Sequence, residues 1–150
     1  MNTFYKYLPL TRAAEDWGFY VNTVGYTKIN PRETYPPVEG HPATHAFTWN
    51  KGRILDGYYL VFISKGKGLF ESRETPPTHL KEGTCFFLFP DIWHRYRPDV
   101  DSGWEEYWVG FKGRYPDSLM KTHFFHPEAP FVEVGLDESL LMLFQRLLEI

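Results

Sequence analysis

Six histidines, one cysteine and a scatter of carboxylates are the side chains of this sequence that can do chemistry, and their spacing decides which chemistry is open to them. His94 ends the run Gly83-Thr84-Cys85-Phe86-Phe87-Leu88-Phe89-Pro90-Asp91-Ile92-Trp93-His94, a glycine turn followed by an apolar strand and a proline exit. A metal site needs three or four convergent donors. No close pair of ligand-type residues accompanies His94 in its own run, so it is weak evidence for a metal, and no metal or other cofactor is expected. His41-Pro-Ala-Thr-His45 is either a turn that brings two imidazoles together or a loop whose histidines are solvated or hydrogen-bonded. Glu106 and His94 are the groups that would move protons in an enzyme, but no acid-base pair accompanies them and no catalytic residue is expected.

The run Trp104–Phe111 is more informative. Side chains alternate along a strand, so Trp104, Glu106, Trp108 and Gly110 share one face and Tyr107, Val109 and Phe111 the other. The second face reads as core. The first joins indoles to a carboxylate and ends at a glycine that leaves space, a pocket-like composition. A sugar lays its C–H face on an indole and needs fixed polar partners for its hydroxyls once water is removed. Trp108 would supply the platform and Glu106 the acceptor. The alternative is a solvent-exposed face on which Glu106 is an ordinary surface acid.

Short aromatic and β-branched runs must position these residues. Phe19–Ile29, Tyr58–Ile63, Gly68–Ser72, Thr84–Phe89 and Trp104–Phe111 are punctuated by Asn30-Pro31, Lys65-Gly66, Pro76-Pro77, Glu82-Gly83 and Asp101-Ser102-Gly103, which predicts an all-β sandwich or barrel. Residues 31–52 read as a long loop with one strand at His45–Trp49. From Leu136 to Ile150, Leu136, Leu140, Leu143, Phe144 and Leu147 recur at helical spacing, with Asp137 and Glu138 where the helix dipole favours acids. That amphipathic helix meets no stop signal before Ile150, so a longer protein is expected. Residues 1–18 show neither periodicity.

Composition narrows the function. Sixteen Lys and Arg against nineteen Asp and Glu give a net charge of −3, without the clustered positive field that nucleic acid requires. Cys85 cannot pair internally, Arg12, Glu15 and Asp16 interrupt any leader, and no apolar run approaches the ~18 residues of a membrane span, so a cytoplasmic setting is expected.

The segment from Gly83 to His94 resembles the second motif of the cupin superfamily. The ordered set Gly52-Arg53-Ile54-Leu55, Tyr58–Ile63, Lys65-Gly66-Lys67-Gly68, Glu82-Gly83-Thr84, Phe89-Pro90, His94–Pro98 and Gly103–Gly113 resembles the amino-terminal sensory domain of AraC-type transcription regulators, over about residues 19–150. The resemblance implies a cupin-like jelly-roll barrel (19–135) that holds a small effector, often a sugar. It also implies an amino-terminal arm (1–18) that closes over the ligand, and a helical segment (136–150) that supports a homodimer. A separate helix-turn-helix domain, not part of this sequence, would bind DNA. Carried over by resemblance, the ligand-binding residues are Thr27, Arg53, His94, Tyr96, Glu106 and Trp108. Glu106 departs from the histidine often found at its position in the arabinose-responsive member, and Arg53 leaves an acidic sugar open. Two rival readings remain. One is a cupin-type sugar isomerase or epimerase; the other is a dimerisation module whose barrel is filled by its own twenty-eight aromatic residues.

Overall fold

The computed structural model describes residues 3–33, 35 and 48–150. In chain order it contains β1 (Thr3–Tyr7), α1 (Arg12–Trp17), β2 (Tyr20–Ile29), β3 (Tyr58–Ser72), β4 (Thr75–Lys81), β5 (Thr84–Leu88), β6 (His94–Pro98), β7 (Trp104–Lys112), α2 (Arg114–Lys121), β8 (Phe131–Glu133) and α3 (Glu138–Glu149). Every strand pairing is antiparallel, in the order β1-β2-β7-β3-β5-β8, with β4 and β6 flanking the far half of β3. The chain is an all-β, cupin-like jelly-roll barrel followed by an amphipathic helix.

The hinge of the barrel is β3. Its first half pairs with β5 and β7, its second half with β4 and β6, and the register with β7 shifts between Ile63 and Lys65. A bulged strand that passes from one sheet to the other turns a corner of this kind. Lys65-Gly66, which the sequence marks as a turn, therefore lies inside a single fifteen-residue strand. Gly66 has φ +92°, and a side chain there would run into Gly103 and the backbone of Trp104. Pro76-Pro77, also expected as a turn, lies in β4 instead. Among the described strands β4 pairs only with β3, and proline, which has no N–H to donate, is tolerated on such an edge.

Residues 3–7 form an added strand on β2, in the register Thr3↔Thr27 to Tyr7↔Thr23. Helix α1 is capped by Thr11, whose hydroxyl accepts from Ala14 N, and is closed by Gly18 at φ +85°. The strand expected at 45–49 lies outside the described residues except for Thr48 and Trp49, which belong to a tight turn closed by Gly52 N donating to Thr48 O. His41 and His45 also lie outside the described residues.

Both faces of β7 are buried, against different partners. Trp104 and Trp108 look into the barrel with Tyr59, Phe70, Phe86 and Tyr96, whereas Tyr107 and Val109 lie under α3. Asp137 caps α3 by accepting from Leu140 N at 3.0 Å. Phe144, 4% exposed, stacks on Phe62 with centroids 6.0 Å apart and meets Tyr107 at 5.8 Å. The docked stripe consists of Leu140, Leu141, Phe144, Leu147 and Leu148, while Leu136 and Leu143, expected on it, are 62% and 59% exposed. The helix begins at Glu138, so Leu136 precedes it, and Leu143 projects away from the sheet. A third apolar cluster, Tyr58, Phe89, Phe111 and Phe125, packs against α2.

Candidate functional site

The interior polar groups come from a tight turn, β6 and β7. Trp93 Nε1 donates to Lys51 O at 2.8 Å, fastening the turn to the start of β6. Arg53 and His94 then exchange both backbone hydrogen bonds, each 3.0 Å. This pairing carries the Arg53 guanidinium inward. Its Nε–H donates to His94 Nε2 at 3.2 Å and its Nη2–H donates to the Tyr96 hydroxyl at 2.7 Å.

These contacts define the chemistry of His94. Nε2 accepts from arginine, so the ring proton resides on Nδ1, which faces Ile92 O at 3.3 Å. Burial, then the Arg53 charge, push the imidazole down to about 3, only partly opposed by the Ile92 carbonyl. His94 is therefore neutral at physiological pH, 2% exposed, with its Nε2 lone pair occupied by a guanidinium. Its ring stacks on Tyr96, centroids 6.0 Å apart. Burial raises the Tyr96 phenol to about 12, against the pull of Arg53. Among the described residues no group of three or more His, Cys, Asp or Glu converges as a metal site.

Glu106 lies opposite Thr27 of β2 and Ile63 of β3 and is 4% exposed. Burial raises its carboxyl to about 7, despite the Tyr35 hydrogen bond, the Arg53 charge and the nearby Trp104 indole N–H, which all favour the charged form. The Tyr35 hydroxyl is 3.3 and 3.2 Å from its two oxygens. Although Trp104 lies close enough to act on Glu106, its Nε1–H is buried and makes no hydrogen bond of acceptable geometry.

Thr27 is 1% exposed beside Glu106. The Trp108 indole lies across Gly25, its cross-strand partner in β2, where a side chain would occupy the space of the ring. The space expected beside Gly110 is filled instead: a Cβ there would lie 2.7 Å from the Tyr59 ring and 2.9 Å from Asn22 Oδ1. The structure thus places Arg53, His94 and Tyr96 in one hydrogen-bonded chain, and puts Glu106, Thr27 and Trp108 on the neighbouring strands of the same barrel. Tyr35 is the contributor that sequence reasoning missed. It lies in a proline-containing stretch of sequence without periodicity, where no local pattern distinguishes an inward-pointing side chain.

The structure is thus an all-β barrel with a charged, hydrogen-bonded cluster in an aromatic interior. The sequence profile of the AraC-like ligand binding domain matches residues 37–150, and the chain belongs to that family. The Raffinose operon transcriptional regulatory protein RafR of Pediococcus pentosaceus is 34% identical over 65 residues, 43% of this chain and 24% of that protein. The Msm operon regulatory protein of Streptococcus mutans is 32% identical over 68 residues, 45% of this chain and 24% of that protein. The MmsAB operon regulatory protein of Pseudomonas aeruginosa is 26% identical over 122 residues, 79% of this chain and 39% of that protein. The chain spans between a quarter and two fifths of the length of these regulators. Among solved structures, an RmlC-like cupin protein of Methanocaldococcus jannaschii has a TM-score of 0.42 at 16% identity, covering 78% of this chain and 94% of its own. The cupin domain of Schizosaccharomyces pombe Cnp3 gives 0.43 at 12%, covering 80% and 71%.

Proposed function

We propose that this chain is the effector-sensing domain of an AraC-type transcription regulator, and that it binds a sugar inside the barrel to control DNA binding by a separate helix-turn-helix domain. The observation that carries the reading is the enclosed set of Arg53, Tyr96 and Glu106 beside the Trp108 indole. Aromatic walls with a few fixed donors and acceptors suit a molecule with C–H faces and many hydroxyls. The relative named for the raffinose operon supports the same class of effector. A neutral sugar fits better than an acidic one, because one of the two edges by which a guanidinium pairs a carboxylate bidentately, the Nε–Nη2 edge of Arg53, already faces His94 and Tyr96, and Glu106 would repel an anion. Thr27 and His94 complete the proposed site, Thr27 next to Glu106 and His94 by holding the guanidinium.

The site has no catalytic role in this reading. His94 is neutral with its accepting nitrogen occupied by Arg53, so it does not act as the base that would accompany Glu106 in an acid-base pair. The outward side chains of Leu136, Met142, Leu143 and Ile150 supply apolar surface for the proposed homodimer. Among the described residues no helix is long and apolar enough to cross a membrane, and the working site of a transcription regulator is the cytoplasm. The test is calorimetry of the purified chain against raffinose, galactose, arabinose and glucose, with each sugar recovered and checked by NMR. Saturable heat with unchanged sugar supports the sensor. Conversion to an isomer or epimer supports the cupin-enzyme reading, and absence of binding by any sugar contradicts both.

A further inference from the structure

Interior polar groups normally have partners, and an orphan indicates what is missing. Among the described residues two buried side-chain polar atoms lack one, Trp104 Nε1 and Asn22 Oδ1. Trp104 is 2% exposed and belongs to the cluster that fills the barrel. It stands two residues before Glu106 on the same face of β7, so an indole donor and a carboxylate acceptor lie side by side. A hydroxyl is the chemical complement of that pair: it donates its proton to the carboxylate and accepts the indole N–H on a lone pair.

Tyr35 supplies such a hydroxyl imperfectly. Its contacts with Glu106, 3.2 and 3.3 Å, are longer than the ~2.7–2.8 Å usual for O–H···O, and one phenolic proton is shared between two oxygens. Its ring meets Trp104 edge-on, 5.8 Å between centroids at 82°, and leaves the indole N–H unsatisfied. Glu106 and Trp104 belong to β7, which is paired on both sides, whereas Tyr35 belongs to none of the described strands or helices and is the member of the trio that no strand pairing holds in place.

We propose that Trp104 Nε1–H and the Glu106 carboxylate form a donor-acceptor subsite for one effector hydroxyl, and that the Tyr35 hydroxyl occupies this subsite until an effector displaces it. The inference rests on the reading of the barrel as a sugar-type effector site and adds to it two residues, Trp104 and Tyr35, and a specificity. The bound molecule must present a hydroxyl there. A carboxylate would meet Glu106 as a like charge or as a competing acceptor, and a methyl group would leave both polar groups unpaired.

The test compares the wild-type chain with Tyr35→Phe, which keeps the ring and removes the competing hydroxyl. Both are titrated with raffinose, methyl α-galactoside and galacturonate, by calorimetry and by the ¹H–¹⁵N resonance of the Trp104 indole. A neutral sugar should bind Tyr35→Phe about three- to tenfold more tightly, the range set by one hydrogen bond that need no longer be displaced. The same sugar should shift the Trp104 indole proton downfield. Equal or weaker binding by Tyr35→Phe, or an indole resonance that does not move, overturns the subsite. If none of the three binds either protein, the effector reading fails, and the Tyr35 contact is judged in the ligand-free protein by ¹³C titration of Glu106. Loss of a hydrogen bond that favours the carboxylate must raise the Glu106 pKa in Tyr35→Phe; an unchanged value overturns the Tyr35–Glu106 contact as well.

Discussion

Burial shifts the pKa values of Glu106 and His94 in opposite directions, and each shift has a measurable consequence. The Glu106 pKa is about 7 in the folded chain against 4.5 when free, so between those values the folded state keeps a proton that the unfolded state has lost. Its contribution is complete below pH 4.5 and is lost as pH rises to 7, a span worth about 3 kcal/mol. For His94, at about 3 against 6.5, the contribution is present above pH 6.5 and is lost as pH falls to 3. The two slopes oppose each other between pH 4.5 and 6.5. Glu106→Gln should isolate His94: relative to wild type the variant should gain about 3 kcal/mol of unfolding free energy between pH 4.5 and 8, measured by urea denaturation. A difference that does not vary with pH would show that Glu106 ionises normally in the folded chain. The alternation of β7 was sufficient to put Glu106 and Trp108 on one face, but whether that face looked inward depended on what covers the other, which only the docking of α3 decides.

At the level of elements, the strands at Thr84, Trp104 and Tyr20 were legible within a residue or two because each is a short run rich in aromatic and β-branched residues bounded by a turn residue. The errors have a common physical source. Lys65-Gly66 and Pro76-Pro77 are turn-formers by local preference, yet Gly66 serves the bend of β3 where a side chain would strike Gly103, and the prolines lie on an edge that needs no donor. Strand β1 was invisible because an added edge strand draws its order from backbone pairing with β2 rather than from its own pattern. Two element-scale predictions follow from close packing. In Gly25→Ala the new methyl group would occupy the position of the Trp108 indole, so the ring must leave β2. Near-ultraviolet circular dichroism should change and sugar binding should weaken by at least tenfold, and retention of both would show that Trp108 does not need Gly25. Phe144→Ala should cost about 3 kcal/mol or more by opening a cavity between α3 and the sheet. Hydrogen exchange should show α3 released while β3 and β7 stay protected; a uniform loss would mean that the helix and barrel unfold as one.

For the whole molecule, the charge of −3 and the scattered basic residues bear on the division of labour proposed here. Without a concentrated positive field, this chain alone should show no salt-sensitive, sequence-specific retention of operator DNA in a mobility-shift assay, and such retention would contradict a sensor whose DNA contacts lie in another domain. The barrel interior is lined by the chain's own aromatics, and that fact keeps a purely structural module in contention. The two readings separate on the Trp108 platform. The most direct measurement is a titration of the wild-type chain and Trp108→Ala with raffinose and its constituent sugars, by calorimetry, with folding of the variant checked by circular dichroism. The account predicts saturable binding by the wild type and a loss of about 1–3 kcal/mol in Trp108→Ala, from the removed aromatic surface. Equal affinity of a bound sugar for the two proteins, or no binding by a well-folded wild-type chain, would contradict it.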